Sequence, residues 1–204
     1  AAHIHSQSQQ AAVAADVGDE ALRPALAWLR RNVGNRDGVE LDALASEVQA
    51  RMSDCAGFVC RAGDVAPALA AAHRLNQRIA EHGVNIGEAR RLSEGVLRAQ
   101  TALLSEAVLC ALDHYVARGG GSRGARMLCA EHGTKTPEAR GGRLDAYRFL
   151  AEQPAQRGEK ILLRYSPQHG MQVSERALRP IEDTGTIYFE KNWGAYLTGA
   201  IYPE

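Results

Sequence analysis

The sequence predicts a mainly α-helical protein, and three observations carry that expectation. Apolar residues recur every three or four positions through three long segments, 39–58, 64–81 and 86–116, which is the spacing of one helix face. Alanine is abundant while aromatic residues make up only 5% of the chain, a balance that suits closely packed helices because alanine has the highest helix propensity. Glycines close the segments: Gly57, Gly83 and the run Gly119-Gly120-Gly121.

Length and charge narrow the class further. A chain of 204 residues allows one large domain, or one domain with an appendage. Its 45% hydrophobic content is enough for a real core. Lys+Arg and Asp+Glu both number 24, so there is no basic excess to neutralise nucleic-acid phosphates, and a nucleic-acid partner is not expected. No apolar run is read as approaching the roughly 20 residues that span a bilayer. Ala1-Ala2-His3-Ile4-His5 lacks the basic and apolar regions of a signal peptide, so a cytoplasmic location is expected. The opening without Met, as though within a helix, is expected of a fragment or a processed product. Cys55, Cys60, Cys110 and Cys129 form no Cys-x-x-Cys pair; buried free thiols in a reducing compartment are preferred over a disulfide or a metal site.

Taken in order, residues 1–20 are expected to be a tail or the remnant of an upstream helix. His3 and His5 have no further ligands, so surface or a tag remnant is preferred over a metal site. Residues 21–32 read as a short helix with Leu22, Leu26 and Leu29 on one face beside Trp28, Pro24 in the first turn, and Arg30 and Arg31 near the C-terminal end. Gly34-Asn35-Arg36-Asp37-Gly38 breaks it. The 39–58 helix presents Leu41, Leu44, Val48, Met52 and Cys55 to the core, with Glu47 and Arg51 paired on another face. Asp64 is the expected N-cap of a helix running to Glu81, with Val65, Leu69, Ala72, Leu75 and Ile79 inward.

The 86–116 segment is the spine, since a helix of roughly 30 residues reaches about 45 Å. It is expected to bury Leu92, Val96, Leu103, Ala107, Ala111 and Tyr115, widened by Leu104, Val108 and Leu112. Short connections make successive helices antiparallel neighbours. Residues 21–130 therefore form an up-down-up three-helix bundle (spectrin-repeat-like) with an extra N-terminal helix. In the remaining part, 131–204, the expectation is a loop over 129–143, a short helix over 144–153 stopped by Pro154, and a β-hairpin. Its strands are 160–165 and 171–177 about the turn Ser166-Pro167-Gln168-His169-Gly170. A last helix over 187–197 carries Phe189, Trp193 and Tyr196 on one side, an aromatic patch that needs a surface in this bundle or in a missing domain.

No complete catalytic site can be read. Gly119-Gly120-Gly121 follows a helix and not a strand, so a helix stop is preferred over a phosphate cradle. Arg118, Arg123 and Arg126 form a basic cluster able to clamp a carboxylate or phosphate; capping of the spine's C-terminus is the preferred reading. Asp113 and His114 are neighbours, so their side chains diverge on a helix and make no dyad. Glu131-His132 is a candidate acid–base pair that nothing orients, and exposed surface is preferred. Glu94 and Glu106 read as solvated. No serine has elbow context, and no His/Cys/Asp set has metal spacing.

Met52-Ser53-Asp54-Cys55-Ala56-Gly57-Phe58-Val59-Cys60-Arg61 resembles the end of the first long helix in the C-terminal domain of the succinate dehydrogenase/fumarate reductase flavoprotein family, which includes L-aspartate oxidase and adenylylsulfate reductase relatives. In that family a second helix follows, then a long helix ending in Ser-Arg-Gly-Ala; here that motif is Ser122-Arg123-Gly124-Ala125. Tyr188-Phe189-Glu190-Lys191-Asn192-Trp193 with Tyr196 looks like the C-terminal end of some members. Ala1-Ala2-His3-Ile4 is similar to the end of the helix that leaves the flavin domain. The likeness runs over most of the chain and is best over 20–130.

The resemblance implies the C-terminal helical domain of an FAD-dependent oxidoreductase that transfers hydride between FAD and a dicarboxylate or related acid. The family's flavin-binding glycines and catalytic Arg and His lie in upstream domains, so it implies no catalytic, cofactor-binding or metal residue here; FAD belongs to the parent protein. The implied partners are the upstream FAD-binding domain and an iron–sulfur electron-transfer subunit, with a cytoplasmic location or one peripheral to a membrane through that subunit. Arg118, Ser122, Arg123 and Arg126 are the candidate interdomain or partner contacts, Arg123 foremost because it follows the glycine turn at the end of the spine. The family has His after the motif where this chain has Arg126, which leaves the subfamily and that side chain's contact open. The residues alone also allow a free-standing helical interaction module, or a small enzyme using Arg118, Arg123 and His132 on an acidic substrate.

Overall fold

A computed structural model describes residues 19–135, 147–178 and 198. The chain divides into two units, Ala1–Glu152 and Gln153–Glu204. The expected tail with His3 and His5 and the expected last helix over 187–197 lie outside the described residues, as does the aromatic stretch Tyr188 to Tyr196.

Among the described residues the first unit has four α-helices: α1 (Asp19–Asn32), α2 (Leu41–Cys55), α3 (Ala62–His82) and α4 (Leu92–Ala117). Short strands lie between and after them: β1 (Val39–Glu40), β2 (Val59–Arg61), β3 (Val84–Asn85), β4 (Met127–Lys135) and β5 (Arg148–Phe149). The mainly helical expectation holds, and the three long helices pack on one another. The strand before α2 shows why that helix starts later than its periodicity suggested. Val39 and Glu40 leave the helix to pair in parallel with Val84 and Asn85. Val59–Arg61 pairs in parallel with Met127, Leu128 and Cys129.

Expectations about the faces and ends of α1, α2 and α3 are corrected. In α1, Leu22 and Leu26 are exposed, and Trp28 with Val33 reaches the core instead. This helix is fixed by its C-terminal end: buried Asn32 accepts a hydrogen bond from the Val84 N–H (2.7 Å) and donates to the Trp28 carbonyl (2.7 Å). Arg31 reaches across to the Ala80 carbonyl of α3. Because α1 starts at Asp19, Pro24 lies beyond the first turn. In α2, Arg51 joins Leu41, Leu44 and Val48 in the buried stripe, while Met52 and Cys55 are half-buried. In α3, Asp64 sits inside the first turn, and Arg61 occupies the N-cap without a side-chain capping bond.

The spine shows the largest shift. Its buried face is Gly95, Ala102, Ser105, Glu106, Leu109 and Leu112. Of the apolar residues expected inward, only Leu112 is fully buried, and Leu104 is 63% exposed. Apolar side chains occupy nearly every direction around α4, so their spacing gives no phase. Proximity to the neighbouring helices decides it, and small residues face the closest approach. A Cβ on Gly95 would stand 2.5 Å from Ile86 Cγ1, so Ile86 fills the notch that this glycine leaves. Residues 89–117 are also long and apolar enough, by length and composition, to cross a bilayer, contrary to the expectation that no segment approaches this; core helices meet the same test.

Residues 129–143 were expected as a loop and 144–153 as a helix. Over its described part the first is strand β4, the middle strand of a three-stranded sheet in the order β2-β4-β5. The described part of the second carries β5, then extended chain up to a 3-10 turn at Pro154–Gly158. β4 is held by β2, far earlier in the chain, and such pairing overrides a local sequence that lacks strand propensity.

The second unit carries the expected β-hairpin: β6 (Glu159–Ser166) and β7 (Gly170–Ala177), antiparallel, with Ser166 paired to Gly170 at the turn and Glu159 to Ala177 at the open end. The Leu178 N–H closes onto the Gly158 carbonyl at 2.7 Å.

Candidate functional site: the turn at the end of the spine

The spine ends by a specific set of backbone bonds. The Gly119 N–H bonds the Val116 carbonyl (2.9 Å) and the Gly120 N–H bonds the Tyr115 carbonyl (2.9 Å). This nested pair is the Schellman motif, and it requires the left-handed φ of +76° at Gly119. Gly120 and Gly121 are needed for close approach: a Cβ at either would collide, at Gly120 with Tyr115 and at Gly121 with the Ala151 carbonyl. The Tyr115 hydroxyl donates to the Gly121 carbonyl at 3.0 Å. The three glycines therefore form a tight, ordered stop. Two of their N–H groups are spent on the helix end, so this turn does not fit a flavin pyrophosphate, which needs such N–H groups free to bind it.

The chain then forms a second turn. Ser122 is bonded to β4 and to the chain after β5. Its N–H donates to the Leu150 carbonyl (3.0 Å), and its Oγ accepts from the Leu128 N–H (3.1 Å). Arg123 and Arg126 bond each other's backbones both ways, at 2.9 and 3.1 Å, around Gly124 with φ +58° and Ala125. Glycine at the first central position is what a tight two-residue reversal needs.

The four candidate contacts thus separate into two kinds. Ser122 and Arg126 face the protein. Arg126 Nη2 donates to the Ala56 carbonyl at 3.0 Å, capping the end of α2 and not that of the spine. Arg118 and Arg123 are exposed. In the same unit Phe58 is 76% exposed and Met127 48%, and the two are tied by the Met127 N–H to the Phe58 carbonyl at 2.7 Å.

A cleft of about 730 Å³ opens at the start of α3, lined by Arg61 and Asp64, by Cys129 to His132 of β4, and by Tyr147 and Arg148. Glu131 and His132 are adjacent on a strand, so their side chains alternate to opposite faces, and both are exposed. Among the described residues no three His, Cys, Asp or Glu side chains gather to hold a metal.

All four cysteines are free thiols. Burial pushes each of them up, Cys60 to about 11, with Arg126 opposing the rise at Cys60 and Arg61 opposing it at Cys129. Cys60 also donates to the Cys55 carbonyl at 2.9 Å. Since the thiolate is the nucleophile, these groups are poor attackers near neutral pH. Titration with a thiol reagent near pH 7.5 is expected to leave Cys60 unmodified in the folded chain and to modify it after denaturation. The raised pKa also has a sign for stability. Unfolding releases a thiol that ionises near 9, so the contribution of Cys60 is intact below that pH and is lost as pH rises toward about 11.

Sequence reasoning missed one polar site. Glu106 is buried between α3 and α4, where it accepts from Asn76 Nδ2 (2.6 Å) and bonds His73 Nδ1 (3.0 Å). The signal available was Glu106 in the middle of an apolar helix, opposite a helix carrying His73 and Asn76 at i, i+3. Glu94, the other carboxylate read as solvated, is half-buried and bonded to Arg91 at 2.9 Å, which holds its carboxyl below the usual range.

Comparison with family models, with curated proteins and with solved structures gives no match to this chain.

Proposed function

We propose that this chain is the C-terminal helical domain of an FAD-dependent oxidoreductase of the succinate dehydrogenase/fumarate reductase flavoprotein kind, with a packing and contact role and no catalytic group of its own. The reading takes the three long helices as one up-down-up bundle. The observation that supports it most is the Ser122-Arg123-Gly124-Ala125 reversal. Ser122 and Arg126 anchor it inward, Arg123 is exposed, and the same unit exposes the large apolar side chains Phe58 and Met127. In this reading that surface meets the upstream FAD-binding domain, an iron–sulfur subunit is the further partner, and the location is cytoplasmic or peripheral to a membrane through that subunit.

The test is made in the full-length enzyme. Arg123→Ala and Phe58→Asp are expected to lower flavin content and turnover several-fold while the unfolding of the isolated helical domain is unchanged. Full flavin content and full turnover in both variants would overturn the reading.

A second reading, a free-standing helical interaction module, is favoured by Leu97 and Leu104. They are seven residues apart on α4 and 59% and 63% exposed, the spacing of a helix-in-groove anchor. The open reading frame separates the two. A strand and glycine-rich dinucleotide fingerprint upstream of Ala1 supports the first, and a start codon close to Ala1 supports the second.

A further inference from the structure

The hairpin of the second unit has two unlike faces. The register places Lys160 opposite Arg176, Leu162 opposite Ser174 and Arg164 opposite Gln172 on one face. Glu159, Ile161, Leu163 and Tyr165 lie on the other, opposite Ala177, Glu175, Val173 and Met171. The first face therefore carries three cations and no carboxylate. Lys160 and Arg176 are directly opposed, an arrangement that costs stability unless an anion lies against it. A small cleft of about 360 Å³ sits at this pair, lined also by Ala177 and exposed Leu178. Lys160, Arg164 and Arg176 make no ion pair among the described residues. Among those residues the sheet has two strands, so the outer edge of each presents backbone groups to no further strand.

We propose that this face is a docking surface for an extended acidic peptide segment of a partner protein, added as a strand along a hairpin edge with its carboxylates over Lys160, Arg164 and Arg176. Same-face residues on a strand recur about every 7 Å, so carboxylates at alternate peptide positions match the spacing of Lys160, Leu162 and Arg164. Apolar residues between them would fall on the side of Ile161, Leu163 and Val173. A second copy of the chain is disfavoured because it would set cations against cations. The zero net charge of the whole chain gives no general attraction for nucleic acid, which favours a local acidic partner. The proposal does not depend on the flavoprotein reading.

The test uses the whole 204-residue chain and a fluorescein-labelled peptide of about eight residues alternating Glu and Val, a common strand length. Saturable binding is expected, lost when Gln replaces Glu, lost when the valine amides are N-methylated, and weakened at least about tenfold on raising salt from about 0.02 to about 0.3 M. Lys160→Ser/Arg176→Ser should weaken binding about tenfold or more. Arg176→Lys, which keeps the charge, should bind like the parent, and matching circular dichroism of both variants shows that the hairpin is intact. No saturable binding of the Glu–Val peptide, undiminished binding by the neutral variant, or tighter binding of an oligo-dT strand than of the peptide overturns the proposal.

Discussion

Glu106→Ala is expected to lower the unfolding free energy by about 2 to 4 kcal/mol, the cost of breaking a buried, hydrogen-bonded carboxylate cluster. Glu106 is 7% exposed and bridges His73 and Asn76 of α3 to the middle of α4. Its removal strands the Asn76 amide, whose other bond is a longer one to the Ala102 carbonyl at 3.2 Å. Glu106→Gln keeps the volume and an acceptor for Asn76, so it should cost about 1 kcal/mol. Glu106→Leu with Asn76→Leu removes both polar partners and should recover most of the loss, because a buried polar cluster replaced as a whole by apolar groups is near neutral. Urea unfolding of the four proteins checks this. Equal midpoints for parent and Glu106→Ala would mean that the carboxylate is not in the helix interface.

Gly121→Ala is the second large effect, about 2 to 4 kcal/mol, since overpacking against backbone leaves no side chain to yield. The added methyl would fall on the Ala151 carbonyl and push the turn away from the chain after β5. The Ser122 N–H to Leu150 bond and the Tyr115 hydroxyl to Gly121 bond would both loosen. The neighbouring glycines give the contrast. Gly119 and Gly124 have φ of +76° and +58° with nothing within 4 Å of an added Cβ, so alanine there carries only the left-handed penalty of about 1 to 2 kcal/mol. Thermal unfolding of the three alanine variants should rank Gly121 well below the other two, and a common shift for all three would contradict the contact.

The legible parts of this fold are those fixed by local sequence. The hairpin was readable because 160–165 and 171–177 alternate about a turn-rich loop, and its strands extend that reading by a residue or two at most. The three long helices were readable from their periodicity. What sequence could not give was the phase of α4, since Leu103, Leu104 and Leu112 point in different directions and all look like core. Only the closeness of Ile86 and α3 selects the face with Gly95, Ala102 and Ser105. β4 was hidden for another reason. Its partner strand, Val59–Arg61, is three residues long and remote in the chain, so the pairing is a tertiary choice. At the turn, Gly119-Gly120-Gly121 is legible as a helix stop, and that is what it forms after Ala117. That Arg126 caps α2 could not be read, because the Ala56 carbonyl lies 70 positions away.

The central claim, a helical domain serving an upstream flavin domain, is tested most directly by the visible absorbance of two purified proteins. One is the product of the whole open reading frame that contains these residues; the other is the 204-residue chain alone. The account predicts stoichiometric bound flavin in the first and none in the second. A whole product without flavin, or full flavin occupancy in the isolated chain, would contradict it.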